Sequence, residues 1–310
     1  IFVMAFAQMF GIGGASVISR ALGEKNHEKA KRAAGNVMAF SIAFGLAMTL
    51  LGYFFLDRLL IMLGASEAIT PYAREYLGII LFGSVFFSFG MAMNHVVRAE
   101  GKPKIAMAAM LISAVLNIIL DPIFIFSLNM GIWGAALATV LSQAATSIYV
   151  LFYFLSGKSL LRVSLRSLIP EWKIMRETVS VGLSAFSRQV AGSLLAVVLN
   201  NSLVFYGGDI AVAVYGVINR LLMVFIMPMF GVNQGFLPIV GYNYGARKMR
   251  RARESVKLAS TVTTLIALFS AIIMFLFARQ LISIFTDETE LIEPAIFALR
   301  IVILAIPTIG

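Results

Sequence analysis

The sequence predicts an all-α protein that crosses a membrane many times. Of its 310 residues, 60% are hydrophobic and only 13% are charged, whereas a soluble domain carries about a quarter charged residues. A spanning helix needs roughly 20 mainly apolar residues, and such stretches recur along the chain. A third observation, an internal repeat described below, predicts two six-helix lobes around a central cavity.

The helices are predicted from hydropathy in chain order. Short polar connections separate nine hydrophobic segments, at about 1–20, 34–56, 76–97, 105–127, 133–155, 177–205, 210–236, 255–278 and 294–310. The chain begins and ends inside such segments, so we expect a fragment that lacks the first helix and the last two. Because there is no cysteine, disulfides and thiolate chemistry are excluded.

The charges predict the orientation. Nineteen of the 25 Lys and Arg lie in four alternate connections, 20–33, 98–104, 158–176 and 247–257. The connections between them carry only Arg58, Arg74 and Arg279. By the positive-inside rule the four basic connections face the cytoplasm of a multi-pass cell-membrane protein. The net charge of +10 therefore predicts contact with membrane lipids and not with nucleic acid.

A repeat with an offset of 222 residues predicts the domain organisation. Residues 19–30 resemble 241–252, and the same offset places Arg58 on Gln280. Both copies put their basic loop on one side, as in transporters built from parallel repeats. We therefore predict an N-terminal lobe at 1–156 without its first helix, a cytoplasmic linker at 157–176, and a C-terminal lobe at 177–310 without its last two helices.

Asp121 is the acidic residue that lies well inside a predicted span, and an ionisable group there indicates a functional site. Asn117 is four residues earlier, on the same helix face. Thr139 is six residues into the next, antiparallel segment, so the three side chains can converge in the outer half of the membrane. Their oxygens suit a hard cation or a proton. Pro122 should disturb the helix beside the carboxylate.

Other polar residues within the segments carry weaker signals. Gln143, Gln189 and Asn200 could line a substrate cavity, but interhelical hydrogen bonds explain such residues equally well. Gly13, Gly231 and Gly235 predict close contacts between helices. We expect no cofactor, and no metal site beyond one for Na⁺ at Asp121, Asn117 and Thr139.

Several motifs in this order resemble the multidrug and toxic compound extrusion (MATE) family of cation-coupled exporters. They are Arg98-Ala99-Glu100-Gly101-Lys102-Pro103-Lys104, Asn117-Ile118-Ile119-Leu120-Asp121-Pro122, Gly131-Ile132-Trp133-Gly134 and Pro238-Ile239-Val240-Gly241-Tyr242-Asn243-Tyr244-Gly245. The resemblance covers essentially the whole chain. It implies a twelve-helix protein that exports amphipathic, often cationic organic compounds in exchange for Na⁺ or H⁺. We expect the protein to be a monomer.

The resemblance also places Asn117, Asp121 and Thr139 in the family's cation site of the N-terminal lobe. Two other readings stay open at this point. A related flippase of a lipid-linked saccharide shares the architecture, and Arg188 and Arg220 could serve its substrate. A membrane-embedded enzyme is the least favoured, because the sequence has no paired acidic metal motif and no histidine cluster. We therefore predict a transporter and not an enzyme.

Overall fold

The computed structural model describes residues 2–62, 69–286 and 288–306, and the regular elements in those residues are all helical. We number the helices α1 Phe2–Gly23, α2 His27–Phe54, α3 Leu56–Met62, α4 Thr70–Ala99, α5 Pro103–Pro122, α6 Gly131–Leu155, α7 Trp172–Gly208, α8 Ile210–Gly245, α9 Met249–Leu276, α10 Ala278–Ser283 and α11 Thr289–Ile303. A π-helical turn, Ile123–Ser127, follows α5, and a 3₁₀ turn, Leu165–Leu168, precedes α7.

Eight of these helices are long and apolar enough to cross a membrane. They correspond to the first eight predicted segments, and α11 corresponds to the ninth. Several begin earlier than hydropathy predicts, for example α2 at His27 and α9 at Met249. Hydropathy marks the part of a helix that lies in hydrocarbon, whereas the helix itself continues into its charged first turns. The all-α multi-pass fold is confirmed.

The break between α7 and α8 depends on glycine. Gly208 has φ 61° and ψ −158°, a backbone conformation that is essentially restricted to glycine. Hydropathy predicted a connection between the segments 177–205 and 210–236. In the structure this connection is only a break at Gly208 between two helices that are otherwise almost continuous.

The repeat is visible in the helix ends. Adding 222 to the ends of α2, residues 27 and 54, gives 249 and 276, which are the ends of α9. The left-handed residues before these helices, Lys25 with φ 60° and Arg247 with φ 58°, differ by the same 222 positions. The predicted duplication therefore holds for the backbone as well as for the sequence.

The chain divides by contacts into two compact units. The first comprises Ile1–Val190 with Tyr244–Arg247, and the second comprises Ala191–Asn243 with Lys248–Gly310. The core of the first unit is formed by α1, α2, α4, α5, α6 and the start of α7, with Val17, Val37 and Met93 among its buried residues. The core of the second includes Met274, Ile282 and Leu299. The lobe boundaries at 156 and 177 stay a prediction, since the contact boundary falls at Val190.

Candidate functional site

Helix α5, which carries Asp121, is fastened near its start. The side-chain amide of Asn94 donates to the Ala106 carbonyl at 2.9 Å, and the Thr146 hydroxyl donates to the Ala109 carbonyl at 3.0 Å. Ala106 and Ala109 are also the buried residues of α5. These hydrogen bonds and buried residues therefore lie in the first two turns of α5, whereas Asp121 lies in its last turn.

Asn117 and Asp121 form a pair in the last two turns of α5. The Asn117 amide Nδ2 donates to Asp121 Oδ1 at 3.1 Å, and both residues are half-buried. This contact confirms the shared helix face predicted from their spacing. It leaves the amide oxygen of Asn117 and the second carboxylate oxygen of Asp121 as acceptors for a ligand.

Pro122 ends the regular part of α5 immediately after the acid. Proline has no N–H to donate to the Ile118 carbonyl, and the chain continues as the π-helical turn Ile123–Ser127. After that turn the Leu128 N–H bonds the Ile123 carbonyl at 2.9 Å, and the Met130 N–H bonds the Phe124 carbonyl at 3.0 Å. Turns of this kind are frequent at functional sites. The predicted disturbance by Pro122 is therefore a change of helix type beside the carboxylate.

Thr139 lies on α6, which packs against α5. The start of α6 comes close to the π-helical turn, because a Cβ on Gly134 would stand 2.9 Å from the Phe124 backbone. However, the Thr139 hydroxyl donates to the Ala135 carbonyl of its own helix at 3.0 Å. The structure thus joins Asn117 to Asp121 by a hydrogen bond but does not join Thr139 to them in this way. Its role as a third ligand stays a prediction.

The three predicted cavity residues have different surroundings. Gln143 is half-buried on α6, one turn beyond Thr139. Gln189 is half-buried near the end of the first unit, and Asn200 is exposed in the second unit. Their assignment to a substrate cavity stays a prediction.

Helices α1 and α7 meet in a contact that we call the α1–α7 seam, formed around Gly13 and Gly182. A Cβ on Gly13 would stand 2.0 Å from the Thr178 carbonyl oxygen, and one on Gly182 would stand 2.1 Å from the Met9 carbonyl oxygen. Phe6 of α1 extends the seam, with its ring centroid 5.0 Å from that of Phe186. The close contact predicted for Gly13 is confirmed.

The same prediction is wrong for Gly231 and Gly235. Among the residues that the structure describes, none lies within 4 Å of a Cβ added at either glycine. Glycine content alone does not distinguish a helix crossing from an open helix face, because the partner helix determines which of the two applies.

Glu177 is a residue that sequence reasoning missed. Its carboxylate pairs with Arg20 of α1 and with Lys29 of α2, each at 3.0 Å. The three side chains are about one quarter to one third exposed. Two ion pairs therefore tie the beginning of α7 to α1 and α2 beside the seam. The sequence did contain a signal for these ion pairs, because Glu177 is an acid that directly follows the basic connection 158–176.

Comparison with known proteins gives matches along nearly the whole chain. The family model described as MatE matches residues 1–123 and 189–310. The multidrug export protein MepA of Staphylococcus aureus (strain MSSA476) is 30% identical over 299 residues, which are 96% of this chain and 66% of that protein. MepA of Staphylococcus saprophyticus is 31% identical over 301 residues, with the same shares. The chain therefore spans just under two thirds of the length of these curated relatives.

A solved structure shows the same fold. It is described as the outward-facing conformation of a multidrug resistance MATE family transporter of the MOP superfamily. The TM-score is 0.93 and the identity is 30%, and the match covers 98% of this chain and 68% of that chain.

Proposed function

Since the chain belongs to the MatE family, we propose that the whole protein is a secondary antiporter that exports amphipathic, often cationic organic drugs in exchange for Na⁺ or H⁺. The names of its relatives, which are multidrug export proteins, support the substrate class. The protein acts as a monomer, without a cofactor other than the coupling ion. Its partners are the exported compounds and the membrane lipids.

The observation that carries the coupling proposal is the half-buried Asn117–Asp121 pair, 3.1 Å apart, directly before Pro122 and the π-helical turn. Carboxylate and amide oxygens are ligands for hard cations. The hydroxyl of Thr139 gives its hydrogen to Ala135, so the lone pairs of its oxygen remain for a cation. The same carboxylate can alternatively take up a proton.

The placement of the pair suggests how ion binding acts on α5. Its start is tied to Asn94 and Thr146, while its end changes to a π-helical turn. Binding of a cation or a proton at Asp121 neutralises a negative charge at the end of α5. The loss of this charge favours a different packing of the π-helical turn. A ligand shifts such an equilibrium only as far as its affinities for the two states differ. We propose that the ion binds the drug-releasing state more tightly.

Exchange across the cell membrane requires a fixed orientation. In our proposal the basic connections 20–33, 98–104, 158–176 and 247–257 lie in the cytoplasm. The support is their high content of Lys and Arg, since the alternate connections carry only Arg58, Arg74 and Arg279.

Replacing Asp121 by Asn in the full-length protein tests the coupling site. We expect ion-driven efflux of a fluorescent organic cation from proteoliposomes to fall at least about tenfold, because losing a partner of a charged group costs about 1.5–3 kcal/mol. Asp57→Asn is the matched control, since Asp57 is exposed and paired with Arg74 at 3.3 Å. Undiminished efflux in Asp121→Asn, at equal protein content, would refute the assignment. Imposing Na⁺ and H⁺ gradients separately identifies the ion.

A further inference from the structure

The linker 157–176 combines exposed apolar side chains with a high positive charge. Leu165, Ile169 and Trp172 are 85%, 66% and 79% exposed. The same stretch contains five cations and one acid, Glu171, and the acid is paired with Arg32 at 3.0 Å. Large apolar residues interleaved with Lys and Arg are typical of segments that lie on a membrane surface.

Contacts with the helices hold the linker in place. Glu100 is buried and accepts hydrogen bonds from the Ser159 hydroxyl, at 3.0 Å, and from the Leu160 N–H. The side-chain oxygen of Asn36 accepts from the Glu171 N–H at 2.8 Å. A Cβ on Gly35 would stand 2.2 Å from the Ser167 carbonyl oxygen, so the 3₁₀ turn lies directly on α2. The exposed apolar side chains are therefore presented outward by a fixed backbone.

A cleft of about 480 Å³ lies between this linker and the start of α2. Its lining includes three cations, Lys31, Arg32 and Arg166, together with Ser164 and two acids, Glu28 and Glu171. Because Arg32 already neutralises Glu171, Lys31 and Arg166 are offset only by the exposed Glu28. Ile169 lines the same cleft, so an apolar group can lie next to a bound anion.

We propose that this cleft and the outward face of the linker bind an anionic phospholipid of the cytoplasmic leaflet. The headgroup phosphate lies between Lys31 and Arg166, and the acyl chains lie against Ile169 and Trp172. The proposal goes beyond drug export but rests on the proposed orientation, which places the linker at the negatively charged cytoplasmic surface. The apolar residues favour a lipid over a soluble phosphate, which has no chain to cover them.

Tryptophan fluorescence gives a direct test, because the chain has two tryptophans, Trp133 and Trp172. In the full-length protein every tryptophan except Trp172 is replaced by Phe, and the protein is placed in nanodiscs of mixed phosphatidylcholine and phosphatidylglycerol. Either lipid is supplied with brominated, quenching acyl chains. We expect brominated phosphatidylglycerol to quench Trp172 several-fold more strongly than brominated phosphatidylcholine at equal content. Equal quenching by the two lipids would overturn the proposal.

Charge variants locate the site. The double substitution Lys31→Gln with Arg166→Gln should reduce the several-fold preference for phosphatidylglycerol to near equality, because each cation at a charged membrane surface contributes about fivefold. Arg251→Gln with Arg253→Gln removes the same charge from α9 and should leave the preference unchanged. Arg166→Lys, which keeps the charge, should retain most of it. Equal losses in the two double variants would reduce the effect to general surface charge and contradict a site at the cleft.

Two further measurements distinguish a lipid from a soluble anion, and the lipid proposal from the coupling proposal. Inorganic phosphate added to nanodiscs of phosphatidylcholine alone should leave the Trp172 emission unchanged, and a shift equal to that caused by phosphatidylglycerol would assign the cleft to a soluble anion instead. Asp121→Asn should keep the lipid preference, because the quenching measurement requires no transport. Failure of the coupling proposal and failure of the lipid proposal therefore give different results.

Discussion

At the scale of single residues, placing the Asp121 carboxylate within the membrane costs free energy, so the groups that stabilise it indicate its role. A carboxylate within a membrane span costs about 3 kcal/mol on insertion scales, so a half-buried one requires compensation. The hydrogen bond from Asn117 at 3.1 Å supplies part of it. Among the three predicted ligands, Thr139 is the one whose hydroxyl oxygen can be kept or removed by small, shape-preserving substitutions.

We expect Thr139→Ser to keep the apparent affinity for the coupling cation within about threefold, because the hydroxyl oxygen remains. Thr139→Val has nearly the same shape but no oxygen, and it should weaken that affinity about tenfold, as for one lost interaction with a charged group. The measurement is initial efflux rate against cation concentration in proteoliposomes. Equal affinities for the Ser and Val variants would remove Thr139 from the site.

What could be predicted about the site depended on sequence distance. Asn117 and Asp121 are one helical turn apart, so helix geometry alone predicts their contact. The hydrogen bond of Thr139 could not be predicted, since its hydroxyl can bond a carbonyl one turn back as readily as a partner on α5. Glu177 could not be predicted either, because its partners, Arg20 and Lys29, are about 150 residues away in the chain.

At the scale of elements, the α1–α7 seam is a contact with almost no room to spare. Gly13→Ala would place a methyl group about 2.0 Å from the Thr178 carbonyl oxygen, so the helices have to move apart. Overpacking of this kind costs about 1–3 kcal/mol. We expect the melting temperature of the purified protein in detergent to fall by about 2–10 °C.

Gly231→Ala is the matched control for Gly13→Ala. Among the described residues, none lies within 4 Å of the added methyl group, and alanine has a higher helix propensity by about 1 kcal/mol. Its melting temperature should be unchanged or slightly raised. If Gly13→Ala behaved in the same way, the close packing of α1 on α7 would be refuted.

The ion pairs of Glu177 should help to keep the seam closed. Thr178 is 3% exposed, and because the chain has no cysteine, Thr178→Cys provides a reporter for maleimide labelling after any cysteine elsewhere in the protein is replaced. In this background Glu177→Gln should raise the labelling rate about two- to thirtyfold, since it removes two partly exposed ion pairs that contribute about 0.2–1 kcal/mol each.

Two controls separate opening of the seam from a direct effect of charge on the thiol. Asp57→Asn breaks the exposed ion pair with Arg74 between α3 and α4, leaves the partners of Glu177 intact, and should leave the rate unchanged. Arg20→Gln with Lys29→Gln removes the opposite charges, which would slow labelling if charge alone mattered, but should speed it if the seam opens. Slower labelling in that double variant would contradict the proposed role of Glu177.

At the scale of the whole molecule, the repeat explains why so much of the fold was predictable. Hydropathy and an offset of 222 residues predicted the helices and their duplication, and the ends of α2 and α9 follow that offset. The division of the helices between the two compact units could not be predicted in the same way. The first unit extends to Val190 and takes in the beginning of α7, because the close backbone contacts at Gly13 and Gly182 and the ion pairs of Glu177 leave no periodic signal in the sequence.

The repeat and the charges together predict one orientation for the whole chain, which single cysteines can test. Lys102 lies in the basic connection before α5, and Leu128, 57% exposed, lies in the connection after it. Because α5 and its π-helical turn form one span between them, the two positions should be on opposite sides of the membrane. In whole cells, a membrane-impermeant maleimide should label Leu128→Cys at least about tenfold faster than Lys102→Cys, since the basic connection stays on the cytoplasmic side. Permeabilising the cells should bring Lys102→Cys to a comparable rate, which shows that its thiol is reactive. The reverse pattern would invert the orientation, and with it the direction of the proposed export and the leaflet that the linker contacts.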